Sequence, residues 1–389
     1  MRYIGNKENV IPRMYEILIH KGIAGRSLFD FFSGTTSVSK FYKRLGYTVS
    51  SSDFMYFSYC LQKAYIENNS TPTFERLLPL PIVSPLKSCA SPLDRVIAYL
   101  NELEPEEGFI YNNYTPEGTY HLSQPRMYFS NENGKKIDTI RQQIERWKND
   151  NLLLGNEYYI LLASLIETVS FYANVAGVYA AFQKKWDPRA IKPFILRPIE
   201  IISNRQENRA YHADSMKILD QINTDILYLD PPYNERQYAP NYHILETIAR
   251  YDNPEIRGVT GMRNYDSQKS RFCKASTALE DLDKVARIAT YEYLVLSYNS
   301  EGIMPQHNIL DVLSQYGEVE LEQFEYLRFK SNNNGLSKTK KHIWEHLRTF
   351  GCSNSLHYFL CHIYKKVCCI NIRIKFPKVN FLHYVPPFR

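Results

Sequence analysis

The residues with the most chemistry to offer are Asp230-Pro231-Pro232-Tyr233, inside the stretch DILYLDPPYNERQY that runs from Asp225 to Tyr238. They present a carboxylate at Asp230, an uncommitted backbone carbonyl at Pro232 and an aromatic face at Tyr233. The exocyclic amino group of a nucleobase has two hydrogens and sits on a flat ring, so two acceptors beside a stacking ring would hold it. Proline has no N–H and a fixed φ, so Pro231 and Pro232 stiffen the unit. A strand followed by a proline-rich turn is the plainer reading of a motif this short. Two further carboxylates stand out. Asp53 lies 19 residues after Gly34 of the run Ser33-Gly34-Thr35-Thr36-Ser37, the spacing at which dinucleotide-type folds bond ribose hydroxyls; it would also serve as the N-cap of a helix starting at Phe54. Asp214, in YHADSM, reads as a strand-end carboxylate or an N-cap.

The elements that must position these groups are legible around them. Ile226 to Leu229 is an apolar run without polar alternation, which suits a parallel strand buried on both faces and delivers Asp230 to its C-terminal edge. Ser27 to Phe32 reads as a second such strand, ending in the Gly34 turn, with a helix over Val38 to Leu45. Glycine there lets the backbone approach a ligand, and the helix N-terminus offers free N–H groups. Tyr47 to Ser52 is a third strand and Tyr291 to Tyr298 a fourth. Helical spacing covers 8 to 20, 93 to 104, 136 to 150, 156 to 172, 215 to 222, 242 to 251, 276 to 290 with Ser276 or Thr277 as cap, and 305 to 316. Ile195 to Ile202 is strand-like, and Glu318 to Lys330 alternates as a strand would. The fold class expected is α/β.

From about Thr71 the alternation of strands and helices stops for more than a hundred residues, too many for a loop. Residues 72–195 are therefore expected to be a mainly helical recognition insert. It divides residues 1–71, which hold the glycine turn and Asp53, from residues 196–347, which hold Asp230. Near its end YANVAGVYAAFQKKW, Tyr172 to Trp186, combines small and aromatic residues with Lys184 and Lys185. That piece is either packing or a surface for stacking bases and binding phosphates.

Composition narrows the class. The 389 residues are 44% hydrophobic and 14% aromatic, with 31 tyrosines, and no apolar run is long enough for a membrane span. The N-terminal segment MRYIGNKENV lacks an apolar targeting region, so a reducing cytoplasm is expected. The net charge of +6 is unevenly spread: 12 Lys and Arg and one acidic residue, Glu345, lie from Tyr326 onward. Such a block suits phosphate contact or a solvated tail. Four of the seven cysteines, Cys352, Cys361, Cys368 and Cys369, fall after Leu347, but their spacing matches no zinc pattern, and no metal site is expected. Residues 348–389 read as a divergent basic, Cys-containing tail dispensable for catalysis.

In their order, RYIGNK, FDFFSGTTSV, Asp53, YANVAGVYAAF, YHADSM, LDPPYNERQY and LVLSYNSEG make the chain resemble the D12 class of adenine-specific DNA methyltransferases in the α arrangement. The likeness is to those members that modify the sites of type IIS restriction enzymes such as FokI, and it covers residues 1 to 345. It implies a Rossmann-like S-adenosylmethionine-dependent methyltransferase fold, S-adenosylmethionine as methyl donor, and the N6 amino group of adenine in double-stranded DNA as acceptor. A restriction endonuclease that acts on the same site without a stable complex, and a bacterial cytoplasm, fit the same likeness. It further implies that Tyr3 and Lys7 close over the cofactor, and that Asp30, Phe32, Gly34 and Thr35 lie under its methionine part. Asp53 would take the ribose hydroxyls and Asp214 the adenine amino group. Asn234 would join Tyr233, Lys184 and Lys185 in binding the substrate. The chain departs from the family's turn at Thr36, which stands where a second glycine is usual. A β-branched residue resists positive φ, so a different turn or a weaker cofactor site is expected. N4-cytosine methylation, which needs the same two acceptors, and an inactive nucleic-acid-binding homologue are the alternatives.

Overall fold

A strand made of consecutive apolar residues is stable only where both faces of its sheet are covered. The computed structural model describes residues 7–80, 91–299, 302–327, 342–347 and 369–373, with side chains described up to residue 324. Five strands lie parallel: β1 (Ser27–Asp30), β2 (Thr48–Asp53), β3 (Arg209–His212), β4 (Asn223–Leu229) and β5 (Thr290–Leu296). Along β4, Ile226 and Tyr228 join Leu28, Val49, Tyr293 and Val295 in the apolar layer on one face. Leu227 and Leu229 join Phe29, Leu294 and Leu296 in the layer on the other. The two-residue period of a strand thus sends each half of the ILYL run to its own core.

The strands run in the order β3-β2-β1-β4-β5. The chain leaves β1 towards β2 on one side and β4 towards β5 on the other, so the order reverses between β1 and β4. Ligands of open α/β sheets bind beyond the carboxyl ends of the strands at such a point. The remaining strands, β6 (Tyr298–Asn299), β7 (Val319–Leu327), β8 (His342–Leu347) and β9 (Cys369–Arg373), continue the sheet as β9-β7-β8-β6 beyond β5. β9 pairs antiparallel with β5 on one side and with β7 on the other. This pairing runs against the expectation that the chain after Leu347 is dispensable, because β9 joins two strands that share no other bond to one another.

The helices are α1 (Ile11–His20), α2 (Ser37–Arg44), α3 (Tyr56–Gln62), α4 (Pro92–Glu102), α5 (Phe109–Tyr114), α6 (Asn131–Asn149), α7 (Glu157–Tyr172), α8 (Tyr238–Arg250), α9 (Ala275–Ile288) and α10 (Gln306–Leu313). Ser91 and Ser130 cap α4 and α6 by accepting the N–H of Asp94 and of Asn133. Neither expected cap serves α9: Lys274 stands at its N-cap, and the Thr277 hydroxyl donates to the Arg271 carbonyl instead. α7 is apolar around nearly its whole circumference because α3, α6 and α8 all pack on it; a helix with no polar face is a buried helix. One apolar cluster accordingly runs from β1 and β2 through α3 into α6 and α7. No helix among the described residues is long and apolar enough to cross a membrane.

Two local expectations change. Ile195 to Ile202 forms no strand. Its backbone N–H groups donate to helix side chains, Leu196 to Asn101 Oδ1, Arg197 to Thr168 Oγ1 and Ile199 to Ser164 Oγ, so the extended segment is satisfied without a neighbouring strand. The helix expected over 215 to 222 is two 3-10 turns, Ser215–Lys217 and Leu219–Gln221.

Candidate active site

The parallel register brings the three carboxylates together. Asp30 of β1 stands opposite Ser51 and Tyr228, so Asp53 and Asp230, each two residues further on, emerge just beyond it. β3 pairs with β2, and the Ala213 N–H donates to the Asp53 carbonyl, which sets Asp214 next in line. Asp53, Asp214 and Asp230 all line one cleft of about 820 Å³, with Phe32 and Pro232.

Asp53 is held by the turn whose spacing it shares: its carboxylate accepts the N–H of Gly34 at 2.9 Å and of Met55 at 2.8 Å. Burial outweighs these bonds and pushes its pKa up to about 6. It therefore acts as a turn-holder and faces the cleft at once, and each oxygen keeps a second lone pair for a ligand hydroxyl. Asp214 caps the Ser215–Lys217 turn by accepting the Met216 N–H at 3.1 Å. Asp30 is fully enclosed, and burial pushes its pKa up to about 6. Its Oδ2 accepts the Ser39 hydroxyl at 2.6 Å, while Oδ1 is buried with no hydrogen-bond partner. An acceptor left this way costs about 1–3 kcal/mol, and an ammonium group is the kind of donor that would satisfy it.

Gly34 has φ +49° and Thr36 φ +62° with ψ +18°, so the β-branched residue itself takes up left-handed backbone in this turn. Thr36 is completely buried and its hydroxyl donates to the Thr35 carbonyl at 2.6 Å. Left-handed backbone at a β-branched residue costs about 1–3 kcal/mol, which the surrounding packing holds in place. Thr35 points to the other side of the turn, where its hydroxyl meets Ser37 at 3.0 Å.

In the Asp230–Tyr233 motif Pro231 and Pro232 are buried and Tyr233 is half-buried. The Tyr233 carbonyl accepts the Ile303 N–H at 3.1 Å, and its ring meets Tyr298 edge-on at 6.4 Å. Lys7 reaches this motif: its Nζ is 3.5 Å from Asp230 Oδ1 and 5.8 Å from the centre of the Tyr233 ring. Such a neighbour favours the ionised carboxylate. By sequence Lys7 is an ordinary solvated lysine, and only the fold shows it buried on Asp230. Asn234 is exposed and its side chain accepts the Arg236 N–H, a turn-forming bond. Lys184 and Lys185 are exposed and line neither this cleft nor the second one described below. Tyr3 lies outside the described residues.

The cleft also has walls that spacing alone does not show. Phe31, Phe54, Met216, Tyr238 and Phe272 line it, and Phe272 meets Phe32 edge-on at 5.2 Å. Phe272 comes from a polar stretch without periodicity, so no local signal marks it. Burial and the neighbouring Tyr233 and Asp230 hold the Tyr238 hydroxyl protonated. Behind the Phe54–Met55 wall the side chain of Glu246, on α8, is wholly buried. Its carboxylate accepts the N–H groups of Tyr56 at 3.1 Å and Phe57 at 3.0 Å, the first turn of α3, and bonds to Gln268 Nε2 and Arg250 Nε at 2.7 and 2.6 Å. One carboxylate thus ties the half of the chain that holds Asp53 to the half that holds Asp230.

An aromatic-walled cleft edged by carboxylates suits a ligand with a flat base, a vicinal diol and positive charge. S-adenosylmethionine has all three, along with an ammonium group; Asp30, with its unbonded Oδ1, is enclosed and not among the residues that line the cleft. Among the described residues no group of three or more His, Cys, Asp or Glu side chains is arranged to hold a metal ion.

Comparison with known proteins agrees with this chemistry. Residues 3–311 match the model of the D12 class N6 adenine-specific DNA methyltransferase family. The type II methyltransferase M.FokI of Planomicrobium okeanokoites is 37% identical over 378 residues, 95% of this chain and 54% of its own length. The modification methylase StsI of Streptococcus sanguinis is 36% identical over 348 residues, 88% of this chain and 50% of its own. The chain thus spans about half the length of these two relatives. The type II methyltransferase M.NlaIII of Neisseria lactamica is 37% identical and is covered over 93% of its length. With the family match extending over most of the chain, and three strand-end carboxylates gathered at the sheet's reversal point, the protein belongs to the D12 class N6 adenine-specific DNA methyltransferases.

Proposed function

We propose that the chain transfers a methyl group from S-adenosylmethionine to the N6 amino group of adenine in double-stranded DNA, as the modification component of a restriction-modification system or as a solitary methylase. The observation that carries the proposal is the placing of Asp230 and Pro232 on the same cleft as Asp53 and Asp214. When bound, S-adenosylmethionine supplies an electrophilic methyl carbon on a positively charged sulfur. Asp53 is assigned to the ribose hydroxyls, Asp214 to the adenine amino group of the cofactor and Asp30 to its ammonium group. Phe32, Gly34 and Thr35 shape the turn beneath its methionine part, and Tyr3 belongs with them by family likeness.

Asp230 and the Pro232 carbonyl accept the two hydrogens of the target amino group. Its lone pair, otherwise delocalised into the ring, is thereby directed out of the base plane towards the methyl carbon. The new N–C bond forms as the C–S bond breaks, its electron pair staying on sulfur. The methylated nitrogen then loses one proton by way of Asp230 to solvent. Positioning and electrostatics carry most of such a rate. Lys7 holds Asp230 ionised as an acceptor, and Tyr233 stacks on the base. The target adenine must leave the duplex at a cost of about a few kcal/mol, which this stacking and the two hydrogen bonds offset. Residues 72–195 serve as the recognition insert, with Lys184, Lys185 and Asn234 on the DNA side. A bacterial cytoplasm and a restriction endonuclease of the same specificity complete the proposal.

The experiment is transfer of labelled methyl groups from S-adenosylmethionine to unmethylated bacterial DNA by the wild type and by Asp230→Ala. Incorporation by the first and none by the second, with cofactor binding retained, is the expected result. Equal incorporation by both would remove Asp230 from its role.

A further inference from the structure

A second cleft, of about 1040 Å³, opens on the other side of the β1–α2 turn. Phe31 and Phe32 face the first cleft, whereas Thr35 and Ser37 of the same turn line the second. Glu8, the neighbour of the Lys7 that pairs with Asp230, also lines it. Asp230 and Pro232 line the first cleft and not the second, so a duplex that delivers a base to them must rest on surface outside the first cleft, and the second cleft on the far side of the same turn is such a surface. The far wall is built from the C-terminal end of α7 and the extended segment after it: Phe171, Tyr172, Arg197 and Ile199.

This wall continues into a one-sided run of positive charge. Residues 184–197 hold Lys184, Lys185, Arg189, Lys192 and Arg197 against a single acid, Asp187, a balance of +4. Arg189 pairs with Asp187. The other four make no ion pair among the described residues, although all four are exposed. Two of the three carboxylates that line the cleft are engaged by its own side chains. Glu200 pairs with Arg44 at 2.5 Å, and Glu167 lies 4.0 Å from Lys40 and accepts the Tyr65 hydroxyl at 3.4 Å. Between the cations Phe171 stands 40% exposed, with the guanidinium groups of Arg189 and Arg197 each 5.8 Å from its ring centre. An exposed ring flanked by two guanidiniums, in a segment that also carries exposed lysines, is a pairing of stacking group and phosphate contacts.

We propose that this second cleft is where the DNA docks, with Lys184, Lys185, Lys192 and Arg197 on backbone phosphates and Phe171 stacking on a base at the site of extrusion. The inference rests on the DNA reading above and names the surface that serves it. Each phosphate contact contributes about 0.9 to the slope of log affinity against log salt. Full-length protein is titrated into a labelled mixed-sequence duplex at several salt concentrations, and methyl transfer to unmethylated bacterial DNA is followed in parallel. Arg197→Ala and Lys192→Ala should each lower the slope by about 1 while leaving S-adenosylmethionine affinity unchanged by calorimetry. Phe171→Ala should lose on the order of 5- to 150-fold in DNA affinity, and Phe171→Tyr, which keeps the ring, should restore it. A wild type that methylates DNA, together with variants that keep its full slope and affinity, would overturn the inference alone. A wild type that transfers no methyl group to DNA would overturn the reading beneath it, and the inference with it.

Discussion

Glu246 makes an unusually specific demand on the fold. Its buried carboxylate is the only acceptor shown for the Tyr56 and Phe57 N–H groups, which as the first turn of α3 have no partner within their own helix. Glu246→Ala would strand both. A buried donor left without a partner costs about 1–3 kcal/mol, and breaking a buried charge pair about 3–5 kcal/mol. Arg250 is 31% exposed at its side chain and recovers water, so the lower half of that range applies to its share. The two stranded donors alone make the loss about 2–6 kcal/mol, a large fraction of the roughly 5–15 kcal/mol by which a domain is stable. Glu246→Gln keeps one acceptor oxygen and should lose about 1–3 kcal/mol. Urea titration with unchanged m-value measures both. Because Phe54 and Met55 immediately precede α3 and line the cleft proposed for the cofactor, the folded Gln variant should also bind S-adenosylmethionine more weakly by calorimetry while its affinity for duplex DNA holds. A Glu246→Ala protein within about 1 kcal/mol of wild type would refute the reasoning, because it would mean that these bonds contribute nothing net.

Burial raises the Asp30 pKa to about 6, so protonation stabilises the fold at acid pH. That stability is fully present below the unfolded value, near 3.8, and is lost as the pH rises through about 6. Asp30→Asn should therefore gain up to about 3 kcal/mol at pH 7, read by urea titration at pH 4.5 and pH 7, with only about a third of the gain at the lower pH. A ligand cation needs the ionised form, so wild-type affinity for S-adenosylmethionine should rise from pH 5 to pH 7 and the Asn variant should lose that rise. For Thr36→Gly, relief of about 1–3 kcal/mol of backbone strain is opposed by glycine's extra chain entropy, about 0.5–1 kcal/mol, and by a lost hydrogen bond of about 0.5–1.5 kcal/mol. Thermal denaturation should shift by no more than a few degrees, and a loss of cofactor affinity would show that Thr36 does more than hold the turn. Termination after Leu347 removes β9, which is paired to both β5 and β7, and should yield insoluble or partly folded protein by circular dichroism; a soluble, active product would contradict that pairing.

How much of this was legible in the sequence depended on whether a residue's surroundings are local. The ILYL run announces a strand buried on two faces, and Ile226 to Leu229 divide between two cores as the period requires. Asp53 was readable because its partner, the Gly34 N–H, belongs to the turn that the same spacing picks out. Ile195 to Ile202 misleads because a β-favouring segment can have its N–H groups taken by helix side chains, and sequence does not show which donor finds which acceptor. β3 was hard to see for the opposite reason: it is a four-residue edge strand with exposed ends. Lys7, Glu246 and Phe272 left no trace of their roles, since each acts on residues dozens to hundreds of positions away. The strand Cys369–Arg373 was hidden for the same reason, its partners lying in β5 and β7.

The central claim is that Asp230 and the Pro232 carbonyl hold the amino group of an adenine for methylation. Its most direct test is mass spectrometry of nucleosides from unmethylated DNA after incubation with S-adenosylmethionine and either the wild type or Asp230→Ala. The expected result is N6-methyladenine from the wild type and none from the variant; N4-methylcytosine, or equal N6-methyladenine from both, would contradict it.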